Sequence, residues 1–337
     1  RGVLVRAVIG AVMLVLAVAS PAAADPAEPT NDRAEILEVR PATPGVSLDV
    51  VGGDSFLRVR VEPGRTVEVP GYDGEPYVRI DPDGGVFENV RSPATVLNRD
   101  RYGAVSAPGT DPKAEPLWER VGGGGSYLWH DHRIHWMGRL EPPQLAGADA
   151  GLIFEWIVPI VVDGASVEVR GRLVRTEAPR MWPWLLGTVA AGVIAGLALR
   201  RATGVTSPLR PAVLAVTGAA AALVSLLYEL SIPAGAGRRY AIAVIAVLGA
   251  ASAAAAIVGR RRPEAWALTT ASALILAGWV WLQRDAATHA VVPASLDPVL
   301  VRAVVAIAAT AVIAVAVAAV RPPARHVPPL NAPVPST

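Results

Sequence analysis

SVEVRGRLVRTEAPRMWPWLLGTVAAGVIAGLALRR, Ser166–Arg201, holds the turning point of this chain. Its first nine residues alternate: Val167, Val169 and Leu173 fall on one face of an extended strand, with Glu168, Arg170 and Arg172 on the other. After Met181 the alternation stops. Trp182–Leu199 is an unbroken apolar run close to the ~20 residues that cross a bilayer, closed by Arg200 and Arg201. The chain before this stretch resembles its first half, and the chain after it resembles its second.

Upstream, Leu57, Val59 and Val61 alternate with Arg58 and Arg60, and the Asp-Gly pairs Asp83-Gly84 and Asp163-Gly164 sit between apolar runs where tight hairpins turn. About eight short strands with Gly and Pro between them, and no amphipathic helix, predict an all-β domain over 25–178, an antiparallel sandwich. Before it, Arg1 and Arg6, the apolar Val8 to Val18 and the small residues Ala22-Ala23-Ala24 read as a signal peptide over 1–24.

Downstream, further apolar blocks at Val213–Leu230, Tyr240–Val258, Ala265–Leu282 and Val299–Val320 bring the number of expected spans to five, an all-α membrane domain over 179–321. Arg200, Arg201 and Arg210, then Arg260 to Arg262, then Arg321 and Arg325 all fall on one side of such a bundle, which makes that side cytoplasmic. Arg238 and Arg239 fall on the other side, against the trend. The β-domain is then extracytoplasmic in the cell membrane, as the signal peptide also requires, and the Pro-rich tail 322–337 is expected to be disordered and cytoplasmic. Trp182, Trp184, Trp279 and Trp281 at outer span ends, and Trp266 at an inner one, suit headgroup anchors. Glu229 and Arg302, near outer ends, are expected to snorkel to water. Gly192 and Gly196 form a small-residue element suited to close helix contact.

The 337 residues are 52% apolar, and the net charge is only +2, with the arginines gathered at span ends, so nucleic-acid binding is not implied. Cysteine is absent, which excludes disulfides, thiolate zinc sites, iron–sulfur centres and a blue-copper site. No G-x-S-x-G elbow, phosphate-binding loop or H-E-x-x-H helix occurs, and the chain is not expected to be an enzyme.

One segment carries chemistry. YLWHDHRIHW, Tyr127–Trp136, holds three of the five histidines and is followed by Met137. Continued as a strand, it places His130 and His132 on one face, with Ile134 and Trp136, and His135 and Met137 on the other. Bringing His135 to the pair requires a bulge or turn near Arg133. Neutral imidazoles with a soft thioether suit copper first and zinc second, and Asp131 is placed to fix an imidazole from behind. The alternatives are that Tyr127, Trp129, Ile134 and Trp136 are core or surface-patch residues, with the histidines hydrogen-bonded to backbone and Arg133 paired to Asp131 or Glu155, or that Trp129, Asp131, Arg133 and Trp136 with the histidines form a rigid surface for a protein partner. His289, in the loop before the fifth span, is a candidate to approach the same place.

WHDHRIHWM, Trp129–Met137, together with GYDGEPYVRIDPDGGVFENVRSP, Gly71–Pro93, resembles a group of actinobacterial multi-pass membrane proteins with a secreted β-rich domain carrying a WHDHRxHWM motif. The resemblance covers most of the chain's layout. It implies metal handling, beside secreted copper-trafficking proteins as partners. The HDH core of Trp129–His132 is also similar to the W-x-H-x-H strands of multicopper oxidases. This chain lacks the histidines and the cysteine that such an oxidase needs, and a cupredoxin- or Ig-like sandwich without the blue site is what remains. The expected function is therefore extracytoplasmic copper binding or delivery through His130, His132, His135 and Met137. A membrane scaffold that docks a protein partner through the aromatic and histidine surface is the alternative.

Overall fold

A computed structural model describes residues 26–103, 106–138, 140–202, 207–233, 235–260 and 264–320. The expected signal peptide and Pro-rich tail lie outside the described residues. Ten strands come first: β1 (Asp32–Arg40), β2 (Val46–Val51), β3 (Phe56–Val61), β4 (Val67–Pro70), β5 (Pro76–Ile80), β6 (Val86–Asn89), β7 (Trp118–Gly122), β8 (Ser126–Trp129), β9 (Gly151–Val162) and β10 (Ala165–Arg175). A short helix α1 (Pro93–Leu97) interrupts them. Six helices follow: α2 (Met181–Ala202), α3 (Leu209–Ser231), α4 (Ala241–Val258), α5 (Glu264–Leu282), α6 (Arg284–Thr288) and α7 (Pro298–Ala319).

The strands form two antiparallel sheets, one of seven in the order β1-β10-β9-β4-β5-β6-β7 and one of three in the order β2-β3-β8. The β9–β10 hairpin turns at Asp163 and Gly164, both with positive φ (48° and 80°), the backbone a two-residue hairpin needs to match strand twist. The alternation read from the sequence is the burial observed: Leu57, Val59, Val61, Val167, Val169 and Leu173 all enter one core shared by the two sheets. Arg60, Arg170 and Arg172 on the opposite faces stay in solvent.

Helices α2, α3, α4, α5 and α7 are each long and apolar enough to cross a membrane, which makes this a multi-pass membrane protein. Gly192 and Gly196 seat α2 on α7. A β-carbon at Gly196 would come within 2.6 Å of Val317 and 2.7 Å of the Ala314 carbonyl, and one at Gly192 within 2.7 Å of Ile313. Gly187, on the same helix, has open space beside it. Overpacking costs about 1–3 kcal/mol, so Gly196→Ile is expected to lower the unfolding temperature of the purified chain and Gly187→Ile to leave it unchanged. Equal behaviour of the two would mean that α2 does not pack here.

Two expectations at the outer span ends need correction. Glu229 and Arg302 do not snorkel. Glu229 is 3% exposed and accepts the Arg239 backbone N–H, while Arg302, 7% exposed, donates to the Ala287 and His289 carbonyls at 2.8 and 3.4 Å. Backbone groups of the connecting loops replace water as their partners. Trp279 is likewise a core residue, its indole N–H donating to Ser225 at 2.9 Å, whereas Trp182, Trp266 and Trp281 stay exposed as belt residues would.

The β-domain sits directly on the bundle. Ala27, Val51 and Phe56 share a buried cluster with Ala221, Val224 and Tyr228 of α3, Trp279 of α5 and Val301 of α7. Thr30 and Val291 exchange backbone hydrogen bonds at 3.0 and 2.9 Å, and Asn31 accepts the Ala290 N–H at 2.9 Å. Phe56 thus belongs to strand β3 and to the membrane core at once.

Candidate functional site

The histidine segment leaves β8 at Trp129 and turns at once. Asp131 causes the turn. Its Oδ1 accepts the Arg133 backbone N–H at 3.0 Å, two residues on, and its backbone carbonyl accepts the Ile134 N–H at 3.1 Å. The irregular backbone that a histidine cluster demanded is therefore present, but it starts earlier than a strand through Met137 would allow.

The consequence is a different pairing of rings. His130 turns away, stacked on Phe56 with ring centres 4.0 Å apart, its Nδ1 bonded to the Ser55 carbonyl at 2.6 Å. His132 and His135 meet instead, edge to face, with ring centres 5.4 Å apart. His132 Nε2 is bonded to the Asp100 carbonyl at 2.9 Å and His135 Nε2 to the Arg101 carbonyl at 2.7 Å. Since a carbonyl only accepts, each of these nitrogens carries the hydrogen, which leaves Nδ1 of both rings as the lone-pair nitrogen. Nδ1 of His135 is buried and has no hydrogen-bond partner among the described residues.

Met137 lies near His132. Beside Gly103, whose φ of 59° suits glycine, the place a β-carbon would fill lies 3.2 Å from His132 Nδ1 and 3.3 Å from the Met137 methyl. Among the described residues no group of three or more His, Cys, Asp or Glu is arranged to hold a metal ion. A site of three imidazoles is thus not assembled here, and two imidazoles with a thioether are what the fold brings together.

Asp131 and Arg133 have another job than fixing an imidazole. The Asp131 carboxylate, wholly buried, accepts Trp129 Nε1–H at 2.9 Å and both arms of the Arg133 guanidinium at 2.8 and 2.7 Å. Arg133 pairs with Asp131, as in the alternative reading of the sequence. Trp129, Ile134 and His135 are buried with it, so this face of the motif is interior, and only His132, Arg133, Trp136 and Met137 reach partial exposure. His289 lies elsewhere, bonded to the Asp285 carbonyl at 2.8 Å and lining a cavity of about 230 Å3 between the β-domain and α3.

Several residues that hold the site were not singled out in the sequence. Tyr72 stacks on His132 with ring centres 5.6 Å apart, lies under Arg133 at 5.2 Å, donates its hydroxyl to Asn98, and accepts the His132 backbone N–H at 3.0 Å. Arg101, whose carbonyl holds His135, is ion-paired at 2.7 Å to Asp54, a fully buried carboxylate. Ser92 caps α1, which delivers the chain to Asn98 and on to Asp100 and Arg101. Tyr72 and Ser92 lie in the Gly71–Pro93 motif, so the two quoted motifs are parts of one structure.

Burial, and after it the positive charge of Arg101, hold the His135 imidazole down to about 3; burial also lowers His132. His130 and His132 add smaller effects of the same sign on His135. In the unfolded chain a histidine takes up its proton near ~6.5. Below that pH the unfolded state binds the proton and the folded state does not, so stability falls as pH falls, at up to about 1.4 kcal/mol per unit for His135. The metal-free protein is therefore expected to lose thermal stability steadily between pH 6.5 and 5, and His135→Gln to make that loss shallower. An unchanged slope in the variant would show that His135 is not held neutral.

No protein-family model, curated protein or solved structure matches this chain.

Proposed function

We propose that this protein is a membrane-anchored copper-binding protein that holds one Cu(I) between His132, His135 and Met137, with the metal as its cargo. The observation that carries the reading is the bare, buried Nδ1 of His135, on a ring that meets a second imidazole edge to face, with Met137 following two residues later. Unpartnered polar atoms in a protein interior are uncommon and call for an explanation. Two imidazoles on one ion, with N–metal bonds of about 2.0–2.1 Å, place their ring centres on the order of 5 Å apart, close to the 5.4 Å found. Carbonyl bonds behind both rings fix the tautomer that leaves Nδ1 available, which is the usual support for a ligating histidine. Two neutral nitrogens and a soft sulfur favour Cu(I), with zinc second. His130, stacked on Phe56 and bonded to the Ser55 carbonyl, is not one of the proposed ligands.

The β-domain faces the extracytoplasmic side in this reading, following the arginine bias at span ends, and secreted copper-trafficking proteins are the partners it would exchange metal with. The finer fold reading, a cupredoxin- or Ig-like sandwich, is supported by two antiparallel sheets around one core, and the seven-to-three division of strands counts against it.

The test is a Cu(I) competition titration of the full chain in detergent, with X-ray absorption on the loaded protein. One ion per chain with two nitrogen neighbours and one sulfur is expected. Uptake no greater than that of empty micelles would refute the proposal, and Zn(II) held in preference to Cu(I) would reassign the metal.

A further inference from the structure

At the end of the bundle remote from the β-domain, four of the membrane helices leave a cleft. The first turn of α3 brings Arg210, the segment after α4 brings Arg260, the first turns of α5 bring Trp266, Thr269 and Thr270, and the last turn of α7 closes one wall; the cavity between them is about 70 Å3. Nε of Arg210 is buried there without a hydrogen-bond partner among the described residues. Among the described residues no carboxylate lines the cleft, and neither arginine forms an ion pair. Glu264 opens α5 beside the lining residue Ala265, but it is exposed and forms no ion pair among the described residues; Glu229, near the other end of α3, is about 28 Å from Arg210 at 1.5 Å per residue.

Two arginines lining one small, largely apolar cleft, with the threonines of α5 beside them, describe a receptor for a tetrahedral oxyanion that carries a hydrocarbon chain. Guanidinium forks match phosphate oxygens in pairs. Trp266 is 69% exposed at the level where indoles meet lipid headgroups. Basic pockets between membrane helices are where anionic headgroups bind. We propose that this cleft binds the phosphate of an anionic phospholipid, with Arg210 and Arg260 as its ligands and the acyl chains lying along α5 and α7.

Native mass spectrometry of the full chain tests this, after delipidation and re-addition of phosphatidylglycerol, cardiolipin or phosphatidylcholine, with inorganic phosphate as a separate arm. The wild type is expected to retain an anionic lipid at least about tenfold better than phosphatidylcholine, and the Arg210→Gln/Arg260→Gln variant to lose that preference. Arg200→Gln/Arg201→Gln removes two exposed charges at the same end, outside the cleft, and is expected to keep the preference; it also serves as the folding control, alongside monodisperse elution of both variants. Equal loss in the two variants, or no preference in the wild type, overturns the proposal. Inorganic phosphate bound with the same residue dependence, and no lipid preference, would reassign the cleft to a soluble anion and overturn the lipid assignment.

Discussion

Asp131→Ala is expected to destabilise the β-domain by about 3–5 kcal/mol, the usual result of removing one partner from a buried ion pair. The carboxylate is inaccessible to solvent and carries four hydrogen bonds, two from the Arg133 side chain, one from its backbone and one from Trp129. Its loss leaves a mostly buried guanidinium without a counter-charge and an indole N–H without an acceptor. It also removes the side chain that ends β8 and starts the turn. At about 2–4 °C per kcal/mol for a domain of this size, the unfolding temperature should fall by roughly 10 °C. Arg133→Leu combined with Asp131→Ala should recover part of that loss, because no unpaired charge is then left inside. A single-variant loss below about 1 kcal/mol would mean that the pair is far better solvated than its geometry indicates.

The same carboxylate explains what could be read from the sequence and what could not. Strand alternation at Leu57–Val61 and Ser166–Val174, the Asp163-Gly164 hairpin and the five spans were legible because each depends on residues near one another in the chain. The largest shift among the spans is at α3, which starts at Leu209 and not at Val213: Arg210 and Pro211 extend it, since a proline in the first turn forfeits no helical hydrogen bond. The grouping of the histidines was not legible in the same way. A period-two reading paired His130 with His132, and an aspartate that bonds its own backbone two residues later replaced that pair with His132 and His135. Asp54, Ser55, Tyr72 and Arg101 lie 34 to 81 residues upstream of His135, and no local pattern marks a carbonyl as an imidazole's partner. The buried Glu229 and Arg302 were misread for a related reason: a span-end charge looks like a snorkelling one until the loop that satisfies it is placed.

Replacing the ligands one at a time should separate metal binding from structural support. His132→Ala and His135→Ala are each expected to weaken Cu(I) binding by more than about 100-fold, since groups that merely support a ligand already cost 10–100-fold when removed. Met137→Leu keeps the volume and loses the sulfur, so the X-ray absorption signature should lose its sulfur neighbour while two nitrogens remain. His130→Gln leaves a donor for the Ser55 carbonyl, and it should lower stability with Cu(I) stoichiometry unchanged, because the His130 ring is stacked on Phe56 and its Nδ1 is taken by the Ser55 carbonyl. Tyr72→Phe preserves the stack on His132 but removes the hydroxyl that holds the His132 backbone and Asn98. Affinity should fall about tenfold with the ligand set intact, the mark of a positioning residue. These experiments need the full chain, because Phe56 and Val51 are covered by membrane helices and an excised β-domain would expose them. If His132→Ala and His135→Ala bind Cu(I) as the wild type does, the lone pair buried at His135 Nδ1 serves the fold alone. If His130→Gln abolishes binding as fully as they do, the ion sits nearer β3 and the bundle than the pair that meets at 5.4 Å.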